Sequence, residues 1–448
     1  MHTLLTRMTR CFAYSWIAIY LPTKALHSED WSSFRGQGDS IARVQSLPIQ
    51  WEMRGRVAGA WDIRLPGYGQ SSPVVWKDRV FVTAVSGELK ENLHVLAIDL
   101  ATGSTLWQKD FEATQKVKDS DAVSRGAPTP AIDADGLLVV FESGDVFALS
   151  HDGDLRWKRS FVADHGEIKG PHGYSSSPAL CDDRVILQVT HAGPSYVLAL
   201  SRRDGATLWK TDHPSQTGWS SPILVTEDQQ KLAIVSSAGS VRAYDVNHGR
   251  EQWYVDGLAG NSTASPTYFE HSILIGSGGD REGGGGPRRD RSTSSESSAN
   301  ATPPESVPIP SHKGSLRISL GGEGNVTQSH VAWSNIKANA GYASPLVHKN
   351  LAYFVNRVGV VQCVDPQTGK ELWTHRLPSQ VWASPIGYND AVMFFCKEGS
   401  VVAMEAGPEP KVVAESTIST TDIVYGVAAV EGAWLVRKGR GLQKIVAP

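Results

Sequence analysis

Residues 344–373 read SPLVHKNLAYFVNRVGVVQCVDPQTGKELW. Pro345 has no N–H to give to a ladder, so in a sheet it suits the first residue of a strand. Leu346-Val347 follow, then a turn at His348-Lys349-Asn350. Leu351–Val355 and Val360–Val364 are apolar runs separated by a turn near Arg357–Gly359, the pattern of a hairpin. Asp365-Pro366-Gln367-Thr368-Gly369 makes a tight turn, with Gly369 at a position that takes a positive φ. A last segment carries Trp373. The stretch predicts four short antiparallel strands.

The rest of the chain repeats it. Ser-Pro or Thr-Pro stands at Ser72-Pro73, Thr129-Pro130, Ser177-Pro178, Ser221-Pro222, Ser265-Pro266, Ser344-Pro345 and Ser384-Pro385. A closing Gly-x3-Trp stands at Gly103/Trp107, Gly153/Trp157, Gly205/Trp209, Gly249/Trp253 and Gly369/Trp373. The first four of these tryptophans are 50, 52 and 44 residues apart, and Trp333 precedes Trp373 by 40. A four-stranded repeat of this length is the signature of a propeller blade. One such sheet cannot cover both of its apolar faces, and the neighbouring blades supply the cover.

Blades are expected at about 72–110, 129–161, 177–211 and 221–255, with a fifth from Ser265, the quoted stretch as the sixth, and a seventh from Ser384 to about Val413. Trp61 looks like the last strand of a blade that has no earlier strands. Ile423–Ala429, Ala433–Arg437 and Leu442–Val446 look like three strands with no closing tryptophan. Together they predict a composite eighth blade, in which the Ser-Pro pair has decayed to Gly426-Val427, and which leaves the ring no open edge. The fold class is therefore all-β: an eight-bladed β-propeller of four-stranded antiparallel blades over residues 51–448, its last blade closed by an N-terminal strand.

Three segments depart from the repeat. Residues 1–26 read as a signal peptide, with Arg7 and Arg10 ahead of an apolar run and Ala25 at a cleavage position. The run is too short for a membrane span, and an exported, periplasmic or extracytoplasmic protein is expected. Residues 27–50 are an irregular lead-in in which Trp31, Phe34 and Arg35 stand out; such a tail pins itself against a face or plugs a groove. Residues 277–312 are rich in Gly, Ser and Pro and read as a disordered insertion within blade five.

Composition narrows the function. A formal net charge of −3 gives no drive toward nucleic acid. The four cysteines are too few for a disulfide scaffold, and Cys181, Cys363 and Cys396 read as buried free thiols. No Gly-rich nucleotide loop, His-Glu-x-x-His or Gly-x-Ser-x-Gly motif is present. No metal site and no catalytic pair is expected. The run Asp164, His165, Glu167, Lys169 and His172 matches no metal spacing and reads as a solvated loop.

Two residue sets carry the repeat's meaning. Trp61, Trp107, Trp157, Trp209, Trp253, Trp333 and Trp373 are expected to pack between blades near the outer rim, as structural residues. Trp219, Tyr342 and Trp382 each lie three residues before a blade-opening proline, Tyr174 lies four before Pro178, and Tyr425 falls in the matching region of the last blade. These should gather at one end of the central channel, with Arg125, His172 and His213, and also Gln70 and Asn261, as polar neighbours. The set reads either as filling of the channel mouth or as an aromatic-rimmed recognition site for a peptide, a glycan or a flat cofactor.

Asp99–Trp107 (DLATGSTLW) and Asp365–Trp373 (DPQTGKELW), following their Ser-Pro openings, resemble the quinoprotein-like, or PQQ-like, eight-bladed propeller family over most of residues 52–446. With the lead-in WSSFRG the chain resembles exported PQQ-like repeat proteins of planctomycete-type bacteria. The resemblance implies one of two roles. One is a non-enzymatic scaffold like that of the outer-membrane β-barrel assembly machine, which takes no cofactor and binds a protein or glycan partner in the cell envelope. From the charge and the short apolar runs no nucleic acid and no transmembrane segment are expected, and a monomer is expected. The other is a PQQ- and calcium-dependent dehydrogenase of alcohols or sugars. Alcohol-type members of that class place an adjacent cysteine pair beside the quinone, and this chain has no adjacent cysteines, although a glucose-oxidising subgroup also lacks the pair. A lipid-attachment cysteine is likewise not in place at Cys11. The scaffold is the expected role.

Overall fold

The computed structural model describes residues 31–52, 57–214, 217–278 and 312–447. The expected export signal lies outside the described residues, as does nearly all of the expected insertion. The strands order into eight antiparallel sheets. In the sixth, Leu346–His348, Leu351–Val355, Val360–Val364 and Glu371–Arg376 pair in sequence, as the opening stretch predicts. The middle strands are buried end to end, as in Gly136–Val140 and Asp145–Leu149. The outermost strands alternate, as in Thr105–Glu112. This is the burial expected when only the rim of each sheet meets solvent. Apolar side chains collect in layers between neighbouring blades, one and two, two and three, and onward around the ring.

The eighth blade is composite. Val424–Val430, Ala433–Lys438 and Gly441–Val446 come from the C-terminal end, and Trp61–Arg64 adds antiparallel to the last of them, pairing Trp61 with Lys444 and Ile63 with Leu442. One blade differs from the expectation of four strands. Gly324–Asn325, from the connection between the third and outer strands of blade five, adds a short parallel fifth strand to blade four beside Trp253 and Tyr254. Blade five has no Asp-x-x-Thr-Gly turn there. Its longer connection leaves backbone free to pair with the exposed edge.

The closing tryptophans and the turn glycines form a latch that runs from blade to blade. Each tryptophan indole N–H donates to a carbonyl of the next blade: Trp61 to Leu100, Trp107 to His151, Trp157 to Arg202, Trp209 to Val246, Trp333 to Pro366 and Trp373 to Gly407, at 2.7–3.1 Å. The ring lies against the turn glycine of that next blade. Gly103 sits under Trp61, Gly153 under Trp107, Gly205 under Trp157, Gly249 under Trp209 and Gly369 under Trp333, each with φ between 70° and 87°. A Cβ on any of them would run into the indole. In the turn itself, the Asp99 carboxylate accepts the Thr102 N–H and hydroxyl at 2.7 Å, and these bonds hold its pKa below the usual carboxylate range. Trp253 is the exception: its indole nitrogen is buried without a partner, since blade five lacks the turn. Blade seven has Ala414 at the tryptophan position, opposite Ala403. Blade eight, to which it would latch, has no covalent turn between its last two strands.

A second ring runs around the channel. The backbone N–H of each blade-opening Ser or Thr donates to the hydroxyl of the next: Ser72 to Thr129, Thr129 to Ser177, Ser177 to Ser221, Ser221 to Ser265, Ser265 to Ser344, and Ser344 to Ser384, all at 2.8–3.1 Å. This gives the Ser-Pro pair its physical reason. Proline starts the innermost strand without needing a donor, and the hydroxyl before it satisfies the N–H of the preceding blade. Gly426 completes the circle against Ser72, where a Cβ would collide with the serine.

The lead-in closes one side of the channel. Trp31 O accepts from Val75 N, Ser32 O accepts from Ile132 N, and Ser40 and Ala42 pair with Gly387, so residues 31–42 touch the innermost strands of blades one, two and seven. Arg35 reaches blade five, donating to Pro266 O at 2.7 Å and to the Thr267 hydroxyl at 2.8 Å. Trp31 is buried in the core shared by blades seven, eight and one. The lead-in then crosses blades eight and seven, where Glu431 accepts from Gln45 N and Ser46 N, and Trp51 donates its indole N–H to Thr417 O.

Candidate functional site at the channel mouth

The connections that carry the chain from one blade's outer strand to the next blade's innermost strand end just before the Ser-Pro ring. The hairpins between second and third strands turn at the same end. Together these loops form the mouth. On one side the side chains make an unbroken arc. Arg357 lies over the Tyr342 ring at 4.6 Å, and Tyr342 stacks on Trp382 with centroids 4.3 Å apart. Trp382 meets Tyr425 edge-on at 5.6 Å, and Tyr425 meets Tyr68 edge-on at 6.0 Å. Arg125 lies over Tyr68 at 4.5 Å. Five blades contribute to this arc.

Hydrogen bonds fix its far end. The Tyr68 hydroxyl lies 2.8 Å from that of Tyr425 and donates to Asp422 at 2.6 Å. Burial, and then its bond to Asp422, raises the Tyr68 pKa far above the ordinary phenol value. Arg125 is held by Asp119 and Asp121 at 2.7 Å each, and its backbone N–H donates to the Gln70 side chain. Beneath Tyr68, the fully buried Arg437 donates from Nε to Gly69 O and Gly439 O. Burial lowers its pKa to about 9. Gly69 has to be glycine, because a Cβ would overlap that guanidinium.

Across the mouth stands a second pair. His172 is exposed and meets Trp219 edge-on at 5.4 Å. His172 Nδ1 lies 2.6 Å from Ala122 O, and the Trp219 indole N–H donates to Gly173 O.

Trp219, Tyr342, Trp382, Tyr425, Arg125 and His172 therefore all reach the mouth. Tyr174 and His213 do not. Tyr174 is buried in the layer between blades two and three, edge-on to Phe161 at 5.3 Å. His213 is buried between the Tyr244 hydroxyl at 2.7 Å and the Ser237 hydroxyl at 2.9 Å, and burial lowers its pKa to about 3. Asn261 is buried as well, bonded to the carbonyls of Ser237 and Ser240. Sequence reasoning missed Tyr68, Arg357 and Asp422. Tyr68 offered a signal, being an aromatic five residues before Pro73; Arg357 sits in a second-to-third-strand turn, which also points to the mouth.

Elsewhere, Ser86 Oγ lies 2.8 Å from His94 Nε2, and His94 Nδ1 lies 2.6 Å from Asp110 Oδ1. The order of atoms is that of an activated serine. The three sit on neighbouring strands of one blade, with His94 directly opposite Asp110, and the array reads as a cross-strand polar ladder.

The aromatic arc offers no free acid for a calcium-held quinone. The acids that touch the arc are already engaged, Asp422 by Tyr68 and by Ile423 N, and Asp119 and Asp121 by Arg125. Among the described residues no group of three His, Cys, Asp or Glu side chains converges as a metal site. Tyr342 and Trp382 stack on each other and leave no open slot between them for a flat ring. Among the described residues no helix is long and apolar enough to cross a membrane.

The ring of latched sheets defines a propeller of the PQQ-like repeat class. The chain belongs to the PQQ-like repeat family described as "Outer membrane protein assembly factor BamB", whose profile matches residues 58–193, 163–281 and 322–408. It is 23% identical over 246 residues to the outer membrane protein assembly factor BamB of Moranella endobia (strain PCIT), covering 54% of this chain and 58% of that protein. The chain thus spans rather more than half the length of that curated relative. BamB from Moraxella catarrhalis superposes with a TM-score of 0.57 at 15% identity, covering 86% of this chain and 98% of that one. The quinohemoprotein alcohol dehydrogenase of Comamonas testosteroni superposes with a TM-score of 0.59 at 13% identity, covering 94% and 81%. At these identities the two structures share the fold.

Proposed function

We propose that this protein is a non-enzymatic, extracytoplasmic binding scaffold that holds a protein or glycan partner on the mouth face of the ring. The arc from Arg357 through Tyr342, Trp382, Tyr425 and Tyr68 to Arg125 carries the reading. Tyrosine, tryptophan and arginine are the residues that anchor protein interfaces, because each offers large rigid area with a polar tip. The arc is half-buried and braced by its own stacking, so little side-chain freedom is lost when a partner binds. The similarity to assembly factors named BamB supports both the scaffold role and an extracytoplasmic location.

The test is capture from an envelope extract with immobilised protein, comparing wild type with Trp382→Ala and Tyr342→Ala. A partner retained by wild type and lost at least tenfold by both variants supports the proposal. A partner retained equally by all three, or no partner at all, counts against it. The alternative reading, a PQQ- and calcium-dependent dehydrogenase of alcohols or sugars, has the shared fold behind it. Titration with PQQ and calcium decides it: a quinone absorption change followed by dye-linked alcohol or sugar oxidation would replace the scaffold with an enzyme.

A further inference from the structure

The lead-in pairs with the innermost strands on one side of the channel and leaves them bare on the other. In blades one, two and seven the residue two beyond the opening proline gives its N–H to a lead-in carbonyl: Val75 to Trp31 and Ile132 to Ser32, at 2.8 Å each, and Gly387 to Ser40 at 3.0 Å. The reason lies in the register. Val74 pairs with Phe81, and Trp76 with Arg79 across a two-residue turn, so Val75 between them is a non-hydrogen-bonded position whose N–H points off the sheet edge into the channel. The same register puts Leu180 of blade three, Leu224 of blade four and Tyr268 of blade five in that position. Among the described residues none of these three N–H groups has an acceptor.

Around them, between residues 32–39 and the innermost strands of blades two to five, lies a cavity of about 720 Å³, within the range of ligand sites. Leu180, Ile223 and Leu224 stand half-buried in its walls, and Tyr268 is exposed where it reaches the surface. Its charges are matched. Asp133 is paired with Arg202, and Asp39 with Arg43. Arg35 spends both Nη atoms on Pro266 O and the Thr267 hydroxyl and has the Asp39 carboxylate as its electrostatic neighbour. A fitting occupant is therefore uncharged and brings hydrogen-bond acceptors together with apolar surface. A peptide backbone with apolar side chains does both, and the lead-in shows the fit: its consecutive carbonyls at Trp31 and Ser32 reach adjacent blades. Main-chain bonds to an open strand edge supply affinity, and side-chain pockets beside them supply selectivity.

We propose that this cavity binds a short, uncharged, apolar stretch of a partner protein's chain, with its carbonyls on the N–H groups of Leu180, Leu224 and Tyr268 and its side chains against Leu180, Ile223 and Leu224. The site is separate from the mouth and does not rest on the scaffold reading there.

Hydrogen exchange and calorimetry on the full chain test it. In the free protein the Leu180, Leu224 and Tyr268 amides should exchange at least tenfold faster than those of Val75, Ile132 and Gly387. From a pool of terminally blocked hexapeptides of Ala, Ser, Val and Leu, at least one should bind saturably and slow the three fast amides. Ile223→Trp, which fills the cavity, should weaken that peptide at least tenfold with an unchanged circular dichroism spectrum, and Trp382→Ala at the mouth should leave its affinity unchanged. The proposal is overturned if the three amides are already as slow as their counterparts, if no peptide of the pool binds, if a bound peptide leaves the three amides fast, if Ile223→Trp binds as wild type does, or if Trp382→Ala weakens binding as much as Ile223→Trp.

Discussion

Replacing Gly249 by alanine isolates the latch between blades. Gly249 has φ +71°, and an added Cβ would come within 2.5 Å of Trp209 Cδ2 and 2.8 Å of Thr211 Oγ1. The left-handed backbone alone costs a β-carbon about 1 kcal/mol. Displacing the Trp209 ring adds about 1–3 kcal/mol as overpacking, and losing its bond to Val246 O adds about 1 kcal/mol. The expected loss is therefore about 3–5 kcal/mol. Gly59 provides the control, with φ +80° and nothing within 4 Å of its Cβ position; Gly59→Ala should cost about 1 kcal/mol. Urea unfolding followed by tryptophan fluorescence measures both. A double-mutant cycle sharpens the comparison, because once Trp209→Ala removes the ring, Gly249→Ala should cost little more than the control. Equal losses for Gly249→Ala and Gly59→Ala, or additive losses in the cycle, would refute the latch.

Three further outcomes are expected. Because burial depresses the His213 pKa to about 3, the unfolded chain takes up a proton between about pH 6.5 and 3 that the native chain refuses. Stability from this group is present above pH 6.5 and lost as pH falls; between pH 6.5 and 4.5 wild type should lose about 2–3 kcal/mol more than His213→Asn. Burial pushes the Cys363 thiol up to about 12 and Cys396 up to about 11, so Ellman's reagent at pH 8 should leave both untouched in the native protein and titrate them in guanidinium. Ser86 should resist fluorophosphonate labelling, and Ser86→Ala should cost about 0.5–1.5 kcal/mol as the loss of one hydrogen bond; stoichiometric labelling lost in His94→Ala would make the array a working nucleophile.

The blades were legible because each repeats the same turn chemistry, and the composite blade because two half-patterns at opposite ends completed each other. The latch was not. Gly-x3-Trp places glycine and tryptophan together in sequence, but the indole that covers Gly205 is Trp157, one blade earlier. Such a contact belongs to the packing of two sheets and leaves no local trace. The mouth was legible where alternation held. Trp219, Tyr342 and Trp382 lie three residues before their prolines and share a direction, whereas Tyr174 lies four before and extended backbone turns it the other way, into the core. Tyr425 breaks that rule because the strand pairing shifts register between Val424 and Gly426, and a bulge re-aims side chains. His213 lies four residues beyond Trp209 on one strand, and the same alternation puts both on the buried face. Arg35 offered no such pattern: its burial depends on a tail folding back into the channel.

Closure of the ring by the N-terminal strand is tested most directly by a cysteine pair across it. Asp62 pairs with Gln443 in the register, and Lys438 Nζ bonds to both side chains, at 2.7 and 2.9 Å. Asp62→Cys/Gln443→Cys should therefore oxidise to an intramolecular disulfide that raises the unfolding midpoint, and Ile63→Cys/Gln443→Cys, with side chains on opposite faces, should not. Failure of both pairs to cross-link under oxidising conditions would contradict the closed eight-bladed ring, and cross-linking of the second pair in place of the first would contradict the register.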